Sequence, residues 1–296
     1  MKLYIGEQMV LPALGRAVLR KRRSEAAATL SAVLYTAPAD TYFQHLSVAA
    51  GDVVRLLDDA GEEIFLGSIH RLRRTPEQVE ITACDKGIYL ARNELYGVFA
   101  GPPSAIAAQV ANALEIPLGT VEAGSGWVSI VSRAGQSAYS ILRQAVGSHR
   151  EITVEGDALT VKKSPDIVYS LEPSQVLEVG GAVTLEDMVN RCIVVDYRGR
   201  RAAAAENAAD MSAYGRMQTV LGKSGSDAAA QAQAALAGRA VTGEVTVWGN
   251  PAYRCGCAVE LHRSDWGLDG VYAVTAVEHR WEQGLYTTGM ELEFIR

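Results

Sequence analysis

The sequence predicts an α+β protein that is mainly β, with two related antiparallel β domains flanking a small α+β insert. Two observations carry this reading. A three-strand meander at residues 51–93 returns in pattern at residues 257–295, and the helical patterns of the first two hundred residues are confined to the stretch between them.

In the first meander, strands are expected at 53–57, 63–73 and 78–84, joined by turns at Asp58, Asp59, Ala60 and Gly61 and at Arg74, Thr75 and Pro76. Val79, Ile81 and Ala83 alternate with Gln78, Glu80 and Thr82, so one face can be buried while the other stays wet. Residues 1–50 read as further strands of the same domain. The clearest is 28–35, with Leu30, Ala32 and Leu34 on one side and a turn at Pro38, Ala39 and Asp40.

After Tyr96 the composition shifts. Gly101, Pro102 and Pro103 break the chain, and Ser104 is positioned to cap a helix whose stripe is Ile106, Val110 and Ala113 or Leu114. A second helix is expected at 137–146. Ile152 and Val154 then face Leu159 and Val161 across a turn at Glu155, Gly156 and Asp157.

The second β domain is expected to open with strands at 175–179 and 193–195. Residues 202–209 (AAAAENAA) suit a helix by propensity and a strand by position, and the sequence leaves both open. A helix is expected at 227–237, with Ser226 as its cap and Gly238 after its end, then a strand at 241–248 and a turn at Gly249, Asn250 and Pro251. In the closing meander, Cys257, Val259 and Leu261 alternate with polar residues. A turn follows at 264–270, then a long strand at 271–280, a turn at 281–284, and a last strand placing Met290, Leu292 and Phe294 on one side.

The 296 residues allow two or three domains, and a 48% hydrophobic composition is ample for real cores. The net charge of −6 and the scattered cations lack the footprint of a duplex-binding protein. The cluster RAVLRKRR at 16–23 reads as a solvated strand edge and turn. No apolar run approaches the roughly 20 residues of a membrane helix, and Glu7 spoils the N-terminus as a signal peptide, so folding in the cytoplasm is expected. In that reducing compartment the four cysteines are expected to remain thiols.

Catalytic and metal patterns are weak. Cys255 and Cys257 with His262 and His279 have C-x-C spacing rather than that of a zinc knuckle, and read as packing residues. Gly222, Lys223 and Ser224 match the end of a phosphate loop, but the required upstream glycine is Met217. Asp58, Asp59, Glu62 and Glu63 read as solvated turn residues. Cys192, with His149 or His279 as base, would be the pair of a wall hydrolase, yet it lies in an apolar strand where inert thiols are commoner. No catalytic, cofactor-binding or metal residue is therefore assigned, and no enzyme activity or cofactor is expected.

Several segments, in order, resemble the baseplate hub proteins of contractile phage tails and injection particles, specifically those of PBSX-type prophages of Gram-positive bacteria. They are GDVVRLLDDAGEEIFLG with Asp85, Tyr89, Leu90 and Asn93; ILRQAVGSHREITVEGDALTV; residues 186–191 (EDMVNR); Tyr214, Gly215 and Gln218; and Gly249, Asn250, Pro251 leading to Gly270, Tyr272, His279, Thr287, Met290 and Leu292. The run at 202–209 and Cys255-Gly256-Cys257 depart from that pattern. The resemblance implies two tube-type antiparallel β-barrel domains, at 1–96 and 171–296, around an α+β insert at 97–170. It implies a homotrimer with pseudo-six-fold symmetry that joins the hexameric tail tube to the trimeric spike. The expected partners are further copies of the chain, the tail tube protein, the spike, other baseplate proteins and the tape measure protein. Specific nucleic-acid binding and membrane insertion are not expected. The place of action is the baseplate of a virion or injection particle, assembled in the host cytoplasm, where an acidic lumen would repel phosphates. The alternative is a peptidoglycan hydrolase built on a hub-like scaffold. It would need an appended catalytic domain, whereas this chain is read as closing at Arg296 after its last strand.

Overall fold

A computed structural model describes residues 1–37, 46–147, 150–155, 157–223, 227–263 and 268–295. The chain forms two compact units, Met1–Val179 with Glu244–Arg296, and Gly180–Gly243.

The first unit opens with β1 (Lys2–Ile5), β2 (Gln8–Met9), β3 (Leu14–Arg22) and β4 (Thr29–Tyr35), then the meander β5 (Val53–Leu57), β6 (Glu63–Arg74) and β7 (Gln78–Cys84). A short helix α1 (Ile88–Arg92) leads to β8 (Glu94–Gly101), α2 (Pro103–Ala113), β9 (Leu118–Val121), β10 (Val128–Ser137), α3 (Ala138–Val146), β11 (Arg150–Glu155), β12 (Ala158–Lys163), β13 (Val168–Ser170) and β14 (Val176–Thr184). The helices start as local chemistry dictates. Ser137 accepts the Ser140 amide and caps α3. Ser104, the expected cap of α2, is already inside the helix. Pro102 takes the cap position and Pro103 follows, where a missing N–H costs nothing.

The second unit holds β15 (Arg191–Val195), β16 (Arg201–Glu206), α4 (Ala208–Tyr214), β17 (Gln218–Gly222) and α5 (Ala228–Ala234). β15 is central, antiparallel to β16 and parallel to β17. The alanine run is thus a strand up to Glu206 and a helix from Ala208, split by Asn207, whose side chain caps α4. Its small core is Cys192 and Val194 packed against Ala232. Asp227 caps α5; the expected cap, Ser226, lies outside the described residues, as do 38–40 and 264–267 of the expected turns.

The chain returns as β18 (Ala240–Trp248), followed by the closing meander β19 (Ala258–Arg263), β20 (Leu268–Glu282) and β21 (Leu285–Phe294). Among the described residues one sheet runs β14-β18-β21-β20-β3-β4-β7-β6-β5-β1-β2, with β19 on β20 and β13 on β19. It curls so that Leu3, Leu19, Leu34, Leu56, Phe65, Ile81 and Trp281, from seven strands, share one core. The architecture is mainly β with few helices. Both meanders are present, and each long middle strand skips one residue opposite the strand that follows it. His70 is skipped between Ile69 and Arg71, and Thr275 between Val274 and Ala276. Such bulges sharpen the twist a curled sheet needs.

Two further expectations are corrected. The 16–23 cluster is no strand edge: β3 pairs with β4 on one side and β20 on the other, with Ala17, Val18 and Leu19 buried. The last turn is shorter than 281–284. Trp281 and Glu282 remain in β20, and Gln283 and Gly284 alone turn the chain with φ of 52° and 79°, as a tight hairpin of right-twisted strands requires.

Candidate functional site

Charged side chains are rare in cores, so the buried ones are informative. Where β3 ends, the Arg23 guanidinium donates to Glu151 Oε1 at 3.0 Å and Ser164 Oγ at 3.0 Å. Both partners are buried, Glu151 almost completely. The backbone carbonyl of Arg23 accepts the Tyr139 hydroxyl at 2.5 Å and Arg143 Nη2 at 2.9 Å, while its amide donates to the bulge residue Thr275. One residue therefore fastens β3 and β20 to α3, β11 and the segment after β12.

A second cluster lies under the Gly249-Asn250-Pro251 turn. His279 Nδ1 is 3.1 Å from the Thr288 hydroxyl and 3.0 Å from the Tyr286 hydroxyl. The Tyr286 ring stacks on Trp281 at 4.5 Å. Gly249 lies flat on that ring, where any Cβ would come within 2.0 Å, and the Asn250 amide donates to Thr288 Oγ1. His279 is only 3% exposed, and burial holds its pKa down at about 4, so the ring is neutral at neutral pH.

The residues that could have suggested catalysis do not converge. Cys255 donates to the Lys21 carbonyl at 3.1 Å, and burial pushes its thiol up to about 12. Cys257 is fully buried and also raised by burial. His262 is exposed beside Asp269, and no three metal-ligating side chains gather among the described residues. Cys192 sits in the core of the second unit, and His149 lies outside the described residues. The Lys223 amide extends the β15 pairing through the Val195 carbonyl, while Ser224 is outside the description. Asp58 accepts the Glu62 amide within its own turn. We expect a thiol reagent at pH 8 to titrate all four cysteines in denaturant but to leave Cys192, Cys255 and Cys257 unmodified in the native chain; rapid native modification of Cys255 would contradict this burial.

The quoted family segments serve the fold. Asp85 accepts the Ala28 and Gly87 amides ahead of α1, and burial raises its pKa. Asn190, fully buried, donates to the Gly215 carbonyl at 2.6 Å and accepts the Met217 amide at 2.8 Å, pinning 186–191 to 214–218. Sequence reasoning missed Arg23, Glu151, Tyr139 and Arg143, which no local pattern links.

Two open clefts lie in the first unit. The larger, about 1000 Å³, is lined by Leu19, Phe65, Lys86, Glu151, Arg254 and His279 among others. The smaller, about 550 Å³, lies between the β20–β21 tip, the Leu11–Gly15 stretch and the Asp58–Ala60 turn.

A family profile described as YQBQ-like matches residues 18–293. No curated protein matches the sequence. Among solved structures, the chain is similar to the 43 kDa tail protein of prophage MuSo2 from Shewanella oneidensis, with a TM-score of 0.73 at 14% identity over 98% of this chain and 96% of that one. It is similar to a tail protein from Neisseria meningitidis MC58, with a TM-score of 0.70 at 13% identity over 99% and 95%. A component of the E. coli type VI secretion system, described as structurally similar to T4 tail proteins gp27 and gp5, matches with a TM-score of 0.57 at 6% identity over 100% and 75%. The shared property is the fold, which is that of these phage tail proteins.

Proposed function

The chain belongs to the YQBQ-like family, and from that membership and its fold we propose that it is a structural hub of a contractile-tail baseplate. The observation that carries the reading is a likeness of fold to phage tail proteins along nearly the whole of both chains. In this reading three copies form a ring, with residues 1–96 and 171–296 of each supplying two tube-type β units and residues 97–170 lying outside or towards the spike. Six quasi-equivalent units then face a six-fold tube, while the three-fold axis serves a spike. The twice-used meander, bulged each time in its middle strand, is what such symmetry matching asks of one chain. The partners are the tube, the spike, neighbouring baseplate proteins and the tape measure protein, and the chain performs no catalysis itself. Among the described residues no helix is long and apolar enough to cross a membrane, and the place of action is the particle's baseplate.

Light scattering with electron-microscopy class averages tests this on the purified chain, alone and mixed with its tube and spike proteins. A three-subunit ring with a central hole and six-fold outline is expected. Persistence as a monomer even with both partners present would overturn the reading.

A further inference from the structure

The β15–β16 turn of the second unit is built as a rigid basic knob. Asp196 accepts the amides of Arg198 at 2.8 Å and Arg200 at 2.9 Å and pairs with the Arg200 guanidinium. Gly199 closes the turn at φ +75°. The fixed turn holds Tyr197 87% exposed, with the Arg198 guanidinium 5.1 Å over its ring. Arg201 and Lys223 flank it, both exposed, so four cations stand against the single carboxylate of Asp196. Neither Arg198 nor Arg201 has an ion-pair partner among the described residues. A preordered Tyr–Arg pair loses little entropy on docking, and these two residue types dominate binding hot spots.

The smaller cleft of the first unit has the opposite character. Its charged side chains are Asp58, Asp59 and Glu282, with no Lys or Arg in the lining; the Met1 ammonium pairs with Asp59. Trp281 contributes to the lining, and exposed Leu11 and Leu285 stand at its rim. At about 550 Å³ it has room for a tyrosine ring with a guanidinium beside it.

We propose that the Tyr197–Arg201 turn of one copy docks in the Asp58–Glu282–Leu285 cleft of a second copy. This names the surfaces through which copies associate, and it rests on the hub reading for the premise that they do. The contact is heterologous, joining unlike patches, as a closed ring requires. Because its charges lie at a rim, added salt weakens it.

The test mixes full-length Tyr197→Cys and Leu285→Cys chains under mild oxidation. A disulfide-linked dimer is expected from the mixture and from neither variant alone. Arg198→Glu with Arg201→Glu should weaken self-association, measured by sedimentation, by about tenfold or more, and adding Asp58→Lys with Glu282→Lys to the same chain should restore it. A ring that persists unchanged through the reversals, without the cross-link, overturns this contact and leaves the hub reading standing. A monomer at every concentration, without the cross-link, also overturns the contact, whereas the hub reading is decided by the tube and spike mixtures. Single-stranded oligothymidine binding that the arginine reversals abolish, with self-association unchanged, would assign the knob to nucleic acid and overturn the proposal.

Discussion

Replacing Arg23 with Met is expected to lower the unfolding free energy by about 3–5 kcal/mol, because it strands the buried Glu151 carboxylate without its partner. The loss is that of an uncompensated charge rather than of the pair's own worth. Arg23→Met combined with Glu151→Leu should therefore recover most of it, since an apolar pair of similar volume is often as stable as a buried ion pair. A urea titration of the wild type and both variants reads this directly. A deficit under about 1 kcal/mol in the single variant would show that the joint between sheet and insert does not depend on this pair.

The second large effect is on acid stability. His279 has a folded pKa of about 4 against an ordinary value near 6.5, chiefly from burial, with a hydrogen bond that the ring donates to the Tyr253 backbone acting the other way. Between those values the unfolded chain binds a proton that the folded chain refuses, so stability present above pH 6.5 is lost as the pH falls towards 4. At about 1.36 kcal/mol per unit the loss approaches ~3 kcal/mol. His279→Gln should flatten this window while leaving the changes due to other groups. Asp85, raised by burial, and Glu278, held down by its arginine partners Arg280 and Arg20 against the opposing cost of burial, titrate in both proteins. Parallel melting-temperature profiles for wild type and variant between pH 4 and 7 would remove the assignment.

The strands of both meanders were legible because alternation is a local property. Val79, Ile81 and Ala83 are buried as their spacing requires, as are Met290 and Leu292. Phe294 breaks the pattern near the chain's end and is exposed, its ring edge-on to Tyr272. The alanine run was ambiguous because propensity favours helix, while pairing of Ala203–Ala205 with Cys192–Val194 favours strand, and tertiary context decides. β8 and β10 escaped notice because Gly97, Gly101 and Gly135 interrupt them at positive φ. The Arg23 joint was illegible for a different reason: its partner lies 128 residues away, and no periodicity spans that distance. The knob's arginines are adjacent in the sequence, but the cleft was invisible, since Asp58 and Asp59 meet Glu282 only in the fold.

The pairing of β3 with β20 sets a timetable for synthesis. Arg20 and Glu278 face each other across 258 positions, so a ribosome has nearly finished the chain before the middle of the sheet can close. At about 5–20 residues per second, β3 waits roughly ten seconds or longer for its neighbour. Loop closure over that span makes the step slow even afterwards. During the wait β3 presents an open edge that other nascent chains can occupy, so slowing translation between β3 and β20 should raise misassembly. A chain cut short before β20 leaves β3 paired with β4 alone, its other edge open.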